Sequence, residues 1–145
     1  MDKQTVDVVN LSLGRCLLKE KEFMEAFYNT FTNADARFAP MFANTDMKKQ
    51  FGLLKSGLTF LLMSAGGSSF ADREIEKLGV LHDDQHLKIA PEMYPIWTKS
   101  LLKTVKEFDK EITPDLLAKW EATLKEGIKK MADVFDSKAS HKKSS

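Results

Sequence analysis

Apolar side chains return every third or fourth residue along most of this chain, and no stretch alternates two by two for long, so the pattern predicts helices and no sheet. Val6, Val9, Leu13, Cys16 and Leu17 form one stripe of a first helix, for which Asp2 is a suitable cap. A second helix is expected over Lys21–Asn33, with Phe23, Phe27, Thr30 and Phe31 inward. The piece from Ala34 to Asp46 holds Pro40 and Phe42 and reads as irregular. Thr45 and Asp46 then offer caps to a longer helix that turns Phe51, Leu54, Leu58, Leu61 and Leu62 inward, and Gly66 and Gly67 stop it by accepting a left-handed backbone. Ser68, Ser69 and Asp72 start another helix, with Ile75, Leu78, Leu81 and His82 on its inward stripe. Pro91 suits a first helical position and opens a long helix through Tyr94, Trp97, Leu101, Val105 and Phe108. Thr113 and Pro114 read as cap and first turn of a last helix, which carries Leu117, Trp120, Leu124, Ile128, Met131 and Phe135 inward.

At 145 residues the chain is long enough for one domain with a sizeable core. That domain is expected over residues 1–136, leaving 137–145 as a disordered polar tail. The balance of 22 basic and 21 acidic side chains, net +1, lacks the basic excess that nucleic acid asks for. The lysines at 125, 129 and 130 read as a solvated helix face. No apolar run is long enough to cross a bilayer, and the first residues lack the pattern of a signal peptide. One cysteine, Cys16, excludes an intrachain disulfide and suits a reducing compartment, so a cytoplasmic location is expected, with Cys16 as plain core.

The chemistry concentrates in LGVLHDDQHLKIAPEMYPIW, residues 78–97, which holds two of the three histidines. His82 falls on the apolar stripe of its helix one turn after Leu78, away from Asp72, Glu76 and Asp83. A histidine there is more often a satisfied core residue than a ligand. His82 and His86, four apart, could together face a zinc ion. In HDDQH, however, Asp83 stands where that chemistry needs a longer glutamate, and the third histidine, His141, is in the tail. A haem iron needs one proximal imidazole and a large apolar slot, for which ten Phe, seven Met and two Trp supply material. Without a Cys-x-x-Cys-His the group would be haem b, held by ligation and packing.

At these residues the chain resembles bacterial single-domain globins, the haem domain of flavohaemoglobins and globin-type gas sensors. The marks are FYNTF at Phe27–Phe31, Phe42 after Ala-Pro-Met, Gln50 with Leu54, LGVLH ending at His82 and PEMYPIW from Pro91. The resemblance implies an all-α globin fold of six to eight helices around one haem. It makes His82 the proximal iron ligand, Phe42 the phenylalanine stacked on the haem, Gln50 the distal polar residue and Leu54 the apolar residue one turn on. The distal tyrosine falls on Tyr28 when counted back from Phe42 and on Phe27 when counted from Phe31; Tyr28 is preferred. His86 would reach a haem propionate or lie at the surface, and Tyr94 matches the proximal-side tyrosine. Phe135 stands where that tyrosine's glutamate partner is expected, which weakens the push on the proximal imidazole and argues against a dedicated peroxidase.

For function, the resemblance implies reversible binding of dioxygen, and of other diatomic gases such as nitric oxide and carbon monoxide, at a five-coordinate iron. Nitric oxide dioxygenation is the alternative, and needs a separate reductase because the chain has no flavin or nicotinamide domain of its own. A gas sensor is a second alternative, and would signal through a partner or a homodimer. The plainest alternative is a helical interaction module that keeps the fold without haem.

Overall fold

The structure is a computed structural model that describes residues 2–66 and 93–143, with the side chains of all of these except Phe60, Ser64 and residues 130–143. The described residues form α-helices and one 3-10 turn, with no strand among them. Helix α1 spans Lys3–Cys16, a 3-10 turn covers Leu17–Lys19, and α2 follows over Glu20–Ala34. A single helical turn, α3, spans Phe38–Met41, and α4 runs Met47–Ala65. Helix α5 spans Tyr94–Phe108 and α6 runs Pro114–Lys143, into the polar stretch that the sequence pattern leaves as a tail.

Three of the expected caps form, each a short polar side chain accepting from an otherwise orphan backbone N–H. Asp2 accepts from the Gln4 amide at 3.2 Å, Asp46 from the Lys48 amide at 3.1 Å, and the Thr113 hydroxyl from the Leu116 amide at 3.1 Å. Glu20 and Glu22 add negative charge in the first turn of α2, where the helix dipole favours it. The other end of α4 differs from expectation. Gly66 does not take a left-handed backbone; its N–H bonds the Leu62 and Met63 carbonyls at 3.2 and 3.1 Å in a last, tightened turn. Gly67 and Pro91 lie outside the described residues, as does the helix expected around His82. Helix α5 has Pro95 in its first turn.

The piece between α2 and α4 is more regular than its composition suggests. Asp35 takes the Arg37 amide on its side chain at 2.9 Å and the Phe38 amide on its carbonyl at 3.1 Å, which starts α3. That turn buries Phe38 against Phe31, ring centroids 4.5 Å apart and stacked, and leaves Phe42 at its C-terminal end.

Helix α2 packs on α5 and α4 on α6, while α1 lies across α4, α5 and α6. The shared core is aromatic at one end, with Phe23, Phe27, Phe31 and Phe38 fully buried, and aliphatic toward Leu58, Leu62, Leu101 and Leu124. Helices α4 and α6 come unusually close at Gly127. A Cβ there would sit 2.9 Å from Leu61 Cδ2 and 3.1 Å from the Leu61 carbonyl oxygen, so only glycine fits without displacement.

A polar centre ties α1 to both C-terminal helices. Asp109, at the end of α5, accepts from Ser12 Oγ at 2.5 Å, Arg15 Nε at 2.6 Å, Arg15 Nη2 at 3.0 Å and the Glu111 amide at 3.0 Å. The Trp120 indole N–H of α6 donates to the same Ser12 hydroxyl at 2.8 Å. Burial pushes the Asp109 carboxyl up, but the bonds from Arg15, Ser12 and Glu111 outweigh it and hold the group at about 2.

Candidate functional site

Helix α2 turns two successive rings inward, because a stripe broad enough to bury Phe23, Met24, Phe27, Tyr28 and Phe31 takes in neighbours 100° apart. Phe27 is fully buried, and Tyr28 is 7% exposed. Their surroundings differ. Phe27 stacks on Phe31 at 5.8 Å and meets Trp97 of α5 edge-on at 5.9 Å. Tyr28 faces the other way, onto the α3–α4 corner. There it meets Phe42 edge-on at 5.6 Å and lies nearly parallel to Phe51, with centroids 5.6 Å apart and planes at 25°.

The phenol of Tyr28 reaches the first turn of α4. Its O–H points to the Gln50 backbone carbonyl at 3.5 Å. A strong hydroxyl bond has its oxygens nearer 2.7–2.8 Å, so this contact uses little of the donor's capacity. Burial raises the Tyr28 pKa well above the ordinary phenol value, so the group keeps its proton at any physiological pH. Gln50 itself is buried, and Leu54 lies one turn on along the same inward face of α4. Tyr28, half-buried Phe42 and Gln50 thus meet at one corner between α2, α3 and α4, with Phe27 packed edge-on behind Tyr28 and Leu54 one turn along α4.

Tyr94 opens α5, three residues before the Trp97 on which Phe27 packs, and burial pushes its phenol up to about 12. His82 and His86 lie outside the described residues. Among the described residues, no group of three His, Cys, Asp or Glu side chains could hold a metal ion. Cys16 is buried with its thiol pushed up to about 12 by burial, which keeps it in the unreactive protonated form.

The corner suits the haem that the resemblance implies on two counts. Phe42 and Leu54 supply apolar side chains for a flat macrocycle, and Tyr28 supplies a protonated donor, loosely bonded, for a small polar ligand. The sequence pattern places Phe51 on the inward stripe of its helix but does not say which ring it meets. That depends on how α2 crosses α4, a non-local fact with no local signal. The Asp109 centre had a fainter sign, a serine beside Leu13 on the otherwise apolar stripe of α1.

Comparison with known proteins finds matches among family models and among solved structures. The globin family model matches residues 13–131. A crystal structure from Pseudomonas aeruginosa, of a protein described as structurally highly homologous to a human hemoglobin, is 32% identical. It superposes with a TM-score of 0.80 over 90% of this chain and 98% of that one. No curated protein matches the chain. Among the described residues no helix is long and apolar enough to cross a membrane.

Proposed function

The chain belongs to the globin family, and on that premise we propose that its domain, residues 1–136, holds haem b through His82 and reversibly binds dioxygen and other diatomic gases in the cytoplasm. Members of this family normally bind haem, and the likeness to a protein described as highly homologous to hemoglobin points the same way. Bound haem supplies an iron with an open position for a small gas.

The rest of the work falls to the chain's own residues. His82 would hold the iron through its neutral imidazole, Tyr94 would lie on that side, and His86 would reach a propionate. Phe42 packs on the macrocycle. Phe27 and Leu54 keep water from the gas. Tyr28 offers its O–H to the gas and Gln50 offers its side-chain amide. A polarisable gas such as dioxygen gains from these donors, and carbon monoxide gains less.

The observation that carries this reading is the Tyr28 hydroxyl: buried, protonated, beside the Gln50 side chain and donating only loosely to the Gln50 carbonyl. A hydrogen bond from such a group in a dry pocket contributes about 1–3 kcal/mol, up to roughly a hundredfold in affinity. Tyr28→Phe is therefore expected to speed oxygen release by up to about a hundredfold and carbon monoxide release far less. An unchanged oxygen dissociation rate would remove Tyr28 from the donor role. The haem itself is tested by the absorption spectrum of the purified protein, reduced, with and without carbon monoxide. A preparation that stays colourless with added hemin, or a His82→Gly variant with the parent's spectrum, would overturn the proposal. The same donor also suits nitric oxide dioxygenation with a separate reductase, which rapid nitric oxide consumption on adding one would establish.

A further inference from the structure

Tyr28 combines a loosely held hydroxyl with a closely held ring. Phe27 meets it edge-on at 5.0 Å, Phe42 edge-on at 5.6 Å, and Phe51 covers its face at 5.6 Å with the planes 25° apart. Phe27 is itself fixed between Phe31 and Trp97. The phenol ring therefore cannot turn about its side-chain bonds without displacing a neighbour. The O–H can still rotate about the C–O bond, because its contact with the Gln50 carbonyl at 3.5 Å is weak.

Of the three rings, Phe51 has the distinctive position. Phe27 is on Tyr28's own helix, and Phe42 is already assigned to the haem. Phe51 follows Gln50 directly in α4, so one peptide unit of that helix carries both the carbonyl that the hydroxyl faces and the ring that covers the phenol. We propose that Phe51 is a positioning residue: its ring, stacked on Tyr28, sets the plane of the phenol so that the hydroxyl exchanges between the Gln50 carbonyl and a gas ligand without the side chain moving. This role rests on the gas-binding function proposed for the same corner. It adds a specificity determinant that never touches the ligand.

A stacked aromatic pair is worth about 0.5–1.5 kcal/mol beyond its buried area, which is about two- to twelvefold in a rate. Phe51→Leu keeps apolar bulk and removes the aromatic face. It is expected to speed oxygen release about three- to tenfold while leaving carbon monoxide release near that of the parent. Because Phe51 acts through Tyr28, the effect should vanish when the substitution is made in a Tyr28→Phe background. Phe51→Tyr, which restores the ring, should return oxygen release close to the parent rate.

A second readout needs no bound gas. In the purified full-length chain, the ring-flip rate of Tyr28 measured by NMR should rise in Phe51→Leu and stay slow in Phe51→Tyr. An additive effect of Phe51→Leu in the Tyr28→Phe background, or an unchanged ring-flip rate, would overturn the role of Phe51 and leave the gas-binding reading standing. If Tyr28→Phe alone leaves oxygen release unchanged, Tyr28 is not the donor and the specificity role of Phe51 fails with it, while the ring-flip measurement still decides whether Phe51 holds the phenol.

Discussion

Asp109, at the end of α5, and Tyr28, in the middle of α2, are both buried polar groups, yet they are satisfied to very different degrees. Asp109 receives hydrogen bonds from Ser12, twice from Arg15 and from the Glu111 amide, about as many as a carboxylate can accept. Tyr28 has one distant acceptor and a cage of rings. A saturated group has nothing left to offer an arriving molecule, so its bonds go into holding helices together. A group with capacity to spare contributes little to the fold and keeps its donor for a ligand. The contrast separates a structural centre from a binding centre without reference to any cofactor.

Substitutions at the two centres should have opposite profiles. The largest expected effect is Asp109→Ala, which leaves the Ser12 hydroxyl and the Glu111 amide without their acceptor and Arg15 with only the Glu111 carboxylate, 3.4 Å away. Losing the acceptor of a buried hydroxyl, an amide and a half-buried guanidinium together costs about 3 kcal/mol, to be read as a lower urea midpoint. Oxygen release from the folded fraction should match the parent, and a large change there would break the contrast.

Acid comes next. The Asp109 carboxyl sits at about 2 in the folded chain, below its unfolded value of about 3.9. Its contribution is therefore complete above roughly pH 4 and is lost as the pH falls toward 2, a difference of about 2 kcal/mol. Urea midpoints at pH 5 and pH 2.5 should show this loss, and Asp109→Asn should remove that part of the dependence.

Ser12→Ala is a smaller test of the same centre. It leaves the buried Trp120 indole N–H without its partner and should cost about 1–3 kcal/mol in a denaturant titration. The smallest stability effect belongs to Tyr28→Phe. Deleting a hydroxyl so weakly bonded should change the unfolding free energy by less than about 1 kcal/mol. A loss comparable to that of Asp109→Ala would mean that Tyr28 also serves as a structural tie.

Helices, caps and most of the inward stripes were readable from the sequence, because each depends on residues within a turn or so of one another. Asp2, Asp46 and Thr113 cap where the pattern places them, and Leu54, Leu58, Leu61 and Leu62 turn inward as their spacing predicts. The resemblance brought Tyr28, Phe42 and Gln50 together as a group, and they meet in the structure. Periodicity alone would have ranked Phe27 above Tyr28, since Tyr28 lies at the edge of its stripe. The Asp109 centre left only the faint sign of Ser12 on an apolar stripe. Ser12 and Asp109 are 97 residues apart, and a lone aspartate between two helices looks like any solvated turn residue. Phe38 was lost in a piece that looks irregular because α3 is only one turn long, too short to show a period.

The contact at Gly127 leads to a different kind of expectation. With the Leu61 side chain and carbonyl both against that bare backbone, the two positions are not free to vary separately. Adding a methyl at 127 overfills the crossing, and shortening residue 61 frees only part of the space, because the carbonyl stays. Across relatives that keep this crossing, 127 should remain glycine whatever occupies 61. A relative with a larger residue there should show its last helix displaced from α4.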